Sequence, residues 1–274
     1  MPIAEQGFLS PDIAHFIGKH RQDNRAAFDL ADALNRTAQR LMLSSEVRME
    51  GDVLSEKNLA QLFFVRAVSN FQGAILMAER GAIVEARTLA RTCLETVFAL
   101  VAAVKMDACF IDRMVAKEMG SKSKYANWLL GRADRTAFLH PEAEAGLQAF
   151  INRLKADNEL TKPFGADDMA QRAGIDGLYI FFRQFSSDAA HPTLEALNRY
   201  VDNGQGDVGI EIIWGPKCGA GEIADTVVMV CCFLMTGAVA LNEITSVEGM
   251  GEALGGHYET YKALIAAMTP AEPA

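Results

Sequence analysis

The chain has 274 residues, half of them hydrophobic and 22% charged, a balance that excludes a disordered polymer and allows a substantial core. Lys and Arg number 26 against 35 Asp and Glu, a formal net charge of −9. That charge argues against a generally basic surface for nucleic acid, while leaving room for a local basic pocket.

Helical punctuation runs nearly end to end. Ser10-Pro11 reads as an N-cap followed by proline at the first helical position, so a short helix should follow. Gln22 to Ser45 carries Ala, Leu, Arg and Asp at helical spacing. After a break at Gly51-Asp52, Ser55 caps a long helix reaching Arg80, and Gly81 ends it. Ala82 to Lys105 is the clearest helix, and Asp107 can cap the next, to about Arg132, with Gly120-Ser121 as a candidate interruption. Pro141 to Asn158 is amphipathic, and Thr161 to Asp168 is a polar break.

Ile175 to Ala190 reads as one helix ended by His191-Pro192, because the residue before proline disfavours the α conformation. Leu194 to Val201 adds one or two turns. Asp207 to Trp214 alternates and is β-branched, the one strand expected, as half of a small hairpin. Glu222 to Ile244 and Glu248 to Met268 close the helical series, and residues 269–274 form a frayed tail. The fold class is therefore all-α: one bundle-like domain over residues 1–274, with at most a hairpin near 207–214.

Thr226 to Leu241 is an uncharged run of sixteen residues, shorter than the roughly 20 that span a bilayer, and reads as a buried core helix. The N-terminus Met1-Pro2-Ile3-Ala4-Glu5-Gln6 lacks the basic and apolar regions of a signal peptide. The cysteines at 93, 109, 218, 231 and 232 form no C-x-x-C pair, and three sit in apolar helical runs as small core hydrophobes. These features lead to the expectation of a reducing, cytoplasmic setting without membrane contact.

Two stretches carry more than packing. At about 100° per residue, Ile83, Ala90, Leu94, Val97, Val101 and Val104 share one stripe of their helix. Arg87, Arg91 and Glu95 run along its edge at i, i+4, i+8. Arg87 falls well inside the apolar side, where a guanidinium must find a carboxylate or a bound anion. Arg91 and Glu95 can satisfy one another as a helix-edge pair, or serve a ligand together; both readings are open.

In the second stretch, Tyr179, Arg183, Ser187 and His191 lie on one side of the expected helix, opposite Leu178, Phe182, Phe185 and Ala189. His191 is either a partner of the helix C-terminus or part of a site. If the two apolar faces pack together, the polar stripes meet at the seam. Arg91, Glu95 and His191 would then converge on one pocket, with Arg87, Arg183 and Ser187 near its rim and Tyr179 on the same strip. Such convergence requires Glu95 and His191 within about 12 Å.

The segment Ala86-Arg87-Thr88-Leu89-Ala90-Arg91-Thr92-Cys93-Leu94-Glu95 together with Ser187-Asp188-Ala189-Ala190-His191-Pro192 resembles the Arg-x-x-x-Glu helix and later Ser-x-x-x-His-Pro segment of a bacterial domain-of-unknown-function family. The resemblance implies a shared helical fold and a site near Arg91, Glu95 and His191, and brings no reaction with it. A more distant likeness is to HEPN (higher eukaryotes and prokaryotes nucleotide-binding) domains, helical and usually dimeric, whose active members place an Arg-x(4–6)-His motif at a ribonuclease site. Arg183 and His191 depart from that spacing, having seven residues between them, whereas Arg135 and His140 have four.

Asp12-Ile13-Ala14-His15 and Asp188-Ala189-Ala190-His191 are the nearest approaches to a Glu-x-x-His metal pair, and a di-metal bundle needs further carboxylates. No metal ligand is assigned. H-E-x-x-H, G-x-S-x-G, Walker A and G-x-G-x-x-G strings are absent, and no cofactor is expected. Phe63-Phe64, Phe181-Phe182 and Val227 to Met235 suit a core, a helix interface or a ligand pocket. Trp128 and Trp214 are isolated in the sequence and do not suggest base stacking. The expectation is a homodimeric binding or interaction module with a polar pocket for a small polar or anionic ligand. Its rivals are a HEPN-like ribonuclease acting on RNA in stress or phage defence, and a metal-binding bundle.

Overall fold

The computed structural model describes residues 3–45, 55–106, 109–156, 165–190, 193–203, 210–213, 218–219 and 221–268. Its helices are α1 (Ile3–Gln6), α2 (Ile13–Asp23), α3 (Arg25–Ser44), α4 (Glu56–Ala78), α5 (Ile83–Lys105), α6 (Cys109–Gly131) and α7 (Pro141–Ala156). There follow α8 (Ala166–Ala173), α9 (Tyr179–Phe185), α10 (Leu194–Leu197), α11 (Glu222–Thr245) and α12 (Met250–Met268). Strands β1 (Val201–Asn203) and β2 (Ile210–Ile212) pair antiparallel, with Val201 opposite Ile212 and Asn203 opposite Ile210. The fold is all-α with that one small hairpin.

Helix α5 is the axis. It packs most extensively against α4 and α11, and also meets α8 and α9. Leu94, Val97, Phe98 and Leu100 are fully buried, so its apolar stripe widens to nearly the whole circumference at its C-terminal half. Each such Leu, Val or Phe removed from water contributes about 1.5–3 kcal/mol before entropy is counted.

The α4–α5 pair is set by its caps. Ser55 Oγ accepts from the Asn58 N–H at 3.3 Å, starting α4 as its position predicts. Gly81 turns the chain with φ of +74°, and a Cβ there would lie 2.7 Å from His20 Cε1. His20 Nδ1 in turn donates to the Glu79 carbonyl at 3.1 Å, tying α2 to this turn. Only glycine meets both requirements without strain.

Helix α11 crosses the core beside α5. Gly237 allows the close approach, since a Cβ there would sit 3.3 Å from Val97 and 3.6 Å from Leu100. By length and composition α4 and α11 could each cross a membrane, but 67% of the most apolar window of α11 is buried in the fold. Val227, Val230, Phe233 and Leu234 pack inward, as a core helix requires. Cys93 and Cys231 are buried and free, and burial pushes the Cys93 thiol up to about 12, so it behaves as a small apolar group.

Several expected boundaries move. The 22–45 helix begins at Arg25 after Asn24 separates it from α2, and α6 continues unbroken through Gly120-Ser121. The polar break hides α8, whose first turn carries Asp167 and Asp168 where the helix dipole favours acid. Of the strand expected over 207–214, Ile210–Ile212 is β2, and residues 207–209 and 214 lie outside the described residues. Asp107 and the 269–274 tail lie outside the described residues.

The largest correction concerns the single helix expected over Ile175–Ala190. It is a 3-10 turn at Asp176–Leu178, then α9, then a π-helical segment at Ser186–Ala190. The wider π turn rotates the side chains that follow away from the α register. Ser186 and Asp188 meet Arg91 and Arg87 of α5, while Ser187 donates back to the Gln184 carbonyl.

Candidate functional site

Arg87 lies in the first half of α5 and is only 7% exposed, because α9, the π segment and α11 close around it. Its charge is answered on two sides. One terminal nitrogen binds Asp188, the other binds Glu222 Oε1 at 2.9 Å, and Nε donates to Thr226 Oγ1 at 3.2 Å. Arg199, in the turn after α10, contacts the same two carboxylates: Asp188 at 2.6 and 2.8 Å, and Glu222 at 2.7 and 3.1 Å.

Two arginines and two acids thus form a closed, neutral ring joining α5, the π segment, the α10 turn and the start of α11. Burial alone would raise the Asp188 carboxyl, but hydrogen bonds from Arg199 and Arg87 outweigh it and hold the group below the ordinary range. Glu222 is lowered likewise, burial being overcome by Arg199, the Gly219 N–H and the charge of Arg87. Thr193 fixes the geometry between the parts: its Oγ1 donates to the Ser187 carbonyl at 2.6 Å and accepts from the Ala196 N–H at 3.1 Å. No buried side-chain nitrogen or oxygen among the described residues lacks a partner. Its charges are answered within the ring, as in a structural network.

One turn further along α5 the situation changes. Arg91 Nε donates to Ser186 Oγ at 2.7 Å, and its guanidinium lies 4.4 Å from the Phe182 ring centroid. Its link to Glu95 is long, at 3.5 Å, and Glu95 is 37% exposed at the side chain. Glu95 instead lines a cleft of about 220 Å³ between α4, α5, α6 and α8. Arg66, Lys117, Thr92 and Thr96 supply its other polar walls, and Phe63, Ala99, Met114 and Met169 its apolar ones. Neither Arg66 nor Lys117 makes a hydrogen bond or ion pair among the described residues. The cleft is therefore a place where two cations and one carboxylate meet without cancelling, the Thr92 and Thr96 hydroxyls being given to the Thr88 and Thr92 carbonyls.

The expected site residues separate accordingly. Arg91 and Glu95 stand together, and Glu95 reaches a cleft. Arg87 is drawn into the buried ring. Tyr179 stacks on Phe182, with ring centroids 5.5 Å apart, and packs on the core. Arg183 is exposed, and Ser187 donates to the Gln184 carbonyl at 3.1 Å; neither lines the Glu95 cleft. His191 lies outside the described residues, and with it the Glu95–His191 distance. Asp188, half of one of the two Asp-x-x-His matches, has both oxygens engaged by arginines. Among the described residues no group of three or more His, Cys, Asp or Glu is placed to hold a metal ion.

Sequence reasoning missed Arg199 and Glu222 as partners of Arg87, and Arg66 and Lys117 as walls of the cleft. Only the demand that Arg87 find a carboxylate pointed toward the first pair. A second cavity, about 590 Å³ and largely apolar, lies between the C-terminal half of α5, α11 and α12, with Lys105 and Glu243 in its lining.

The sequence model of one protein family, DUF5677, a family of unknown function, matches residues 57–208. The chain belongs to that family. The matched span holds every residue lining the Glu95 cleft and three members of the ion ring; Glu222 lies beyond it. Most of the lining of the larger apolar cavity, on α11 and α12, also lies beyond it. No curated protein and no solved structure matches the chain.

Proposed function

We propose that this DUF5677 member is a ligand-binding helical module whose polar cleft beside Glu95 takes a small anionic ligand. The observation that carries the reading is the pair of cations, Arg66 and Lys117, facing one cleft with Glu95 on a chain of net charge −9. In an acidic protein a concave spot of excess positive charge concentrates anions. At about 220 Å³ the cleft is below the usual range of roughly 300–1,000 Å³ for drug-sized ligands, which favours a compact group such as a phosphate or a carboxylate. Arg91, braced by Ser186 and Phe182, sets the position of Glu95 at its edge.

Thermal unfolding with inorganic phosphate, at constant ionic strength kept with chloride, tests this. Binding to the folded state raises stability by about 2.7 kcal/mol at a hundred times the dissociation constant. Arg66→Gln and Lys117→Gln should abolish the increment, and Glu95→Gln should enlarge it. An increment unchanged in all three variants rejects the site.

The homodimer and the cytoplasmic setting belong to the same proposal. Leu62, Val65 and Leu76 share one outward face of α4, exposed by 39, 42 and 48%, and suit a partner copy. Cys93, Cys218, Cys231 and Cys232 are free, as in a reducing compartment. The HEPN-like ribonuclease and the metal-binding bundle are the rivals. In the first, Arg135 is already held by Glu144 at 2.8 Å. RNA cleavage lost in Arg183→Ala and His191→Ala would establish it over binding, and metal retained by untreated protein would establish the second.

A further inference from the structure

Helix α6 projects from the bundle and packs more extensively on α7 than on α5. Its stretch Cys109–Arg135, counted with the turn that follows, carries six basic residues against three acidic ones, on a chain whose net charge is −9. At about 100° per residue, Lys117, Ser121, Lys124, Tyr125, Trp128 and Arg132 fall within one stripe of roughly 100°. Most of this stripe is exposed, Tyr125 by 62% and Trp128 by 56%. Over fifteen residues the stripe is about 22 Å long.

Its aromatic end is ordered by its own contacts. Tyr125 and Trp128 stack with centroids 6.0 Å apart and planes at 21°. The Arg132 guanidinium lies 5.1 Å from the Trp128 centroid and 5.4 Å from that of Phe138, itself 47% exposed. Asp134 binds Arg132 at 2.8 and 2.6 Å, so Arg132 is neutralised and acts as a buttress for the indole rather than as a phosphate ligand. Lys117 and Lys124, without an ion pair among the described residues, are left as point charges on the same face.

The geometry points to a single-stranded nucleic acid as the partner of this stripe. The exposed Tyr125–Trp128 stack offers a platform that unpaired bases can extend, which a duplex keeps inside, and neighbouring lysines meet the phosphates. Two lysines and one braced aromatic pair match a short strand, read by stacking and charge and not by base-edge hydrogen bonds. This inference goes beyond the anion cleft and does not depend on it, although Lys117 borders both.

The test is fluorescence anisotropy of the full chain with labelled dT12 and U12, beside the dT12·dA12 duplex. Trp128 quenching is read in parallel in the Trp214→Phe background, which leaves Trp128 as the sole tryptophan. Expected are saturable binding, quenching of Trp128, and weaker binding of the duplex. Trp128→Ala should weaken binding roughly ten- to a hundred-fold, at the scale of one lost stacking partner. The slope of log K against log salt should be about −1.4 for two phosphates, dropping by about 0.7 in Lys124→Gln. Because these side chains are exposed, the variants should melt as the parent does, and Arg66→Gln, which damages the cleft, should leave dT12 affinity unchanged. Absence of binding, as for a surface made for a protein partner, overturns the proposal. So does equal affinity for the duplex, or Trp128→Ala that binds like the parent.

Discussion

Arg87 and Arg91 stand one turn apart on the same helix edge, with Glu95 one turn beyond, yet they belong to different chemistries. Around Arg87 four charges close on themselves in a ring buried by three helices and a π turn. Around Glu95 the charges stay open: the carboxylate is loosely held by Arg91, and two cations face it across a cleft. The difference teaches that a buried charge is not in itself a sign of a site. What marks a site is a charge the protein has not already answered, and the answer here depends on how many elements converge on each turn of α5.

The largest effect expected from breaking this contrast is Arg87→Ala. It leaves Asp188 and Glu222 facing Arg199 alone in a desolvated setting, and should lower unfolding free energy by about 3–5 kcal/mol in urea titrations. If the loss is below about 1 kcal/mol, the ring is not the closed structural unit described.

Acid should act on the same ring. Because Asp188 and Glu222 are held below their ordinary range, their contribution is full above about pH 4.5 and is lost as pH falls through the lowered folded values. His257, pushed down first by burial and then by Arg36 and Arg40, adds a shallower loss that begins below about pH 6.5. Urea midpoints measured from pH 7 to 3 should show both stages, and Arg87→Ala should move the steeper one to higher pH.

Arg91→Ala should cost less, about 1–2 kcal/mol, since it removes a hydrogen bond to Ser186 and a contact with Phe182 but leaves Glu95 access to water. Glu95→Gln is the smallest step and should change stability by less than about 0.5 kcal/mol, while altering the response to phosphate. A Glu95 variant as destabilising as the Arg87 one would erase the distinction between the two regions.

Much of the architecture was legible along the chain, because caps and periodicity are local. Ser55, Gly81 and Pro141 sit where helices start or turn, and the long apolar run at Thr226–Leu241 lies within the core helix α11. The demand of Arg87 for a carboxylate was legible too, since its helical projection puts a permanent charge on an apolar face. The pair Tyr125–Trp128 stands at i, i+3 spacing, but that spacing does not by itself specify that the two rings stack and stay exposed. The π turn was not visible at all. Nothing in Ser186-Ser187-Asp188-Ala189-Ala190 announces that the helix widens there to π geometry.

By itself, then, the sequence determined the all-helical class, most helix positions, the buried nature of Arg87 and the neighbourhood of Arg91 with Glu95. Each of these follows from interactions within about one or two turns, which the order of residues specifies directly. Only the tertiary structure decided that Arg87 is answered by residues 101 and 135 positions away in the chain, that Arg199 completes the ring, and that Arg66 and Lys117 open onto Glu95. Those outcomes depend on the crossing of α5 with α4 and α11 and on the register of a π turn. Side-chain packing sets both, and no local spacing encodes them.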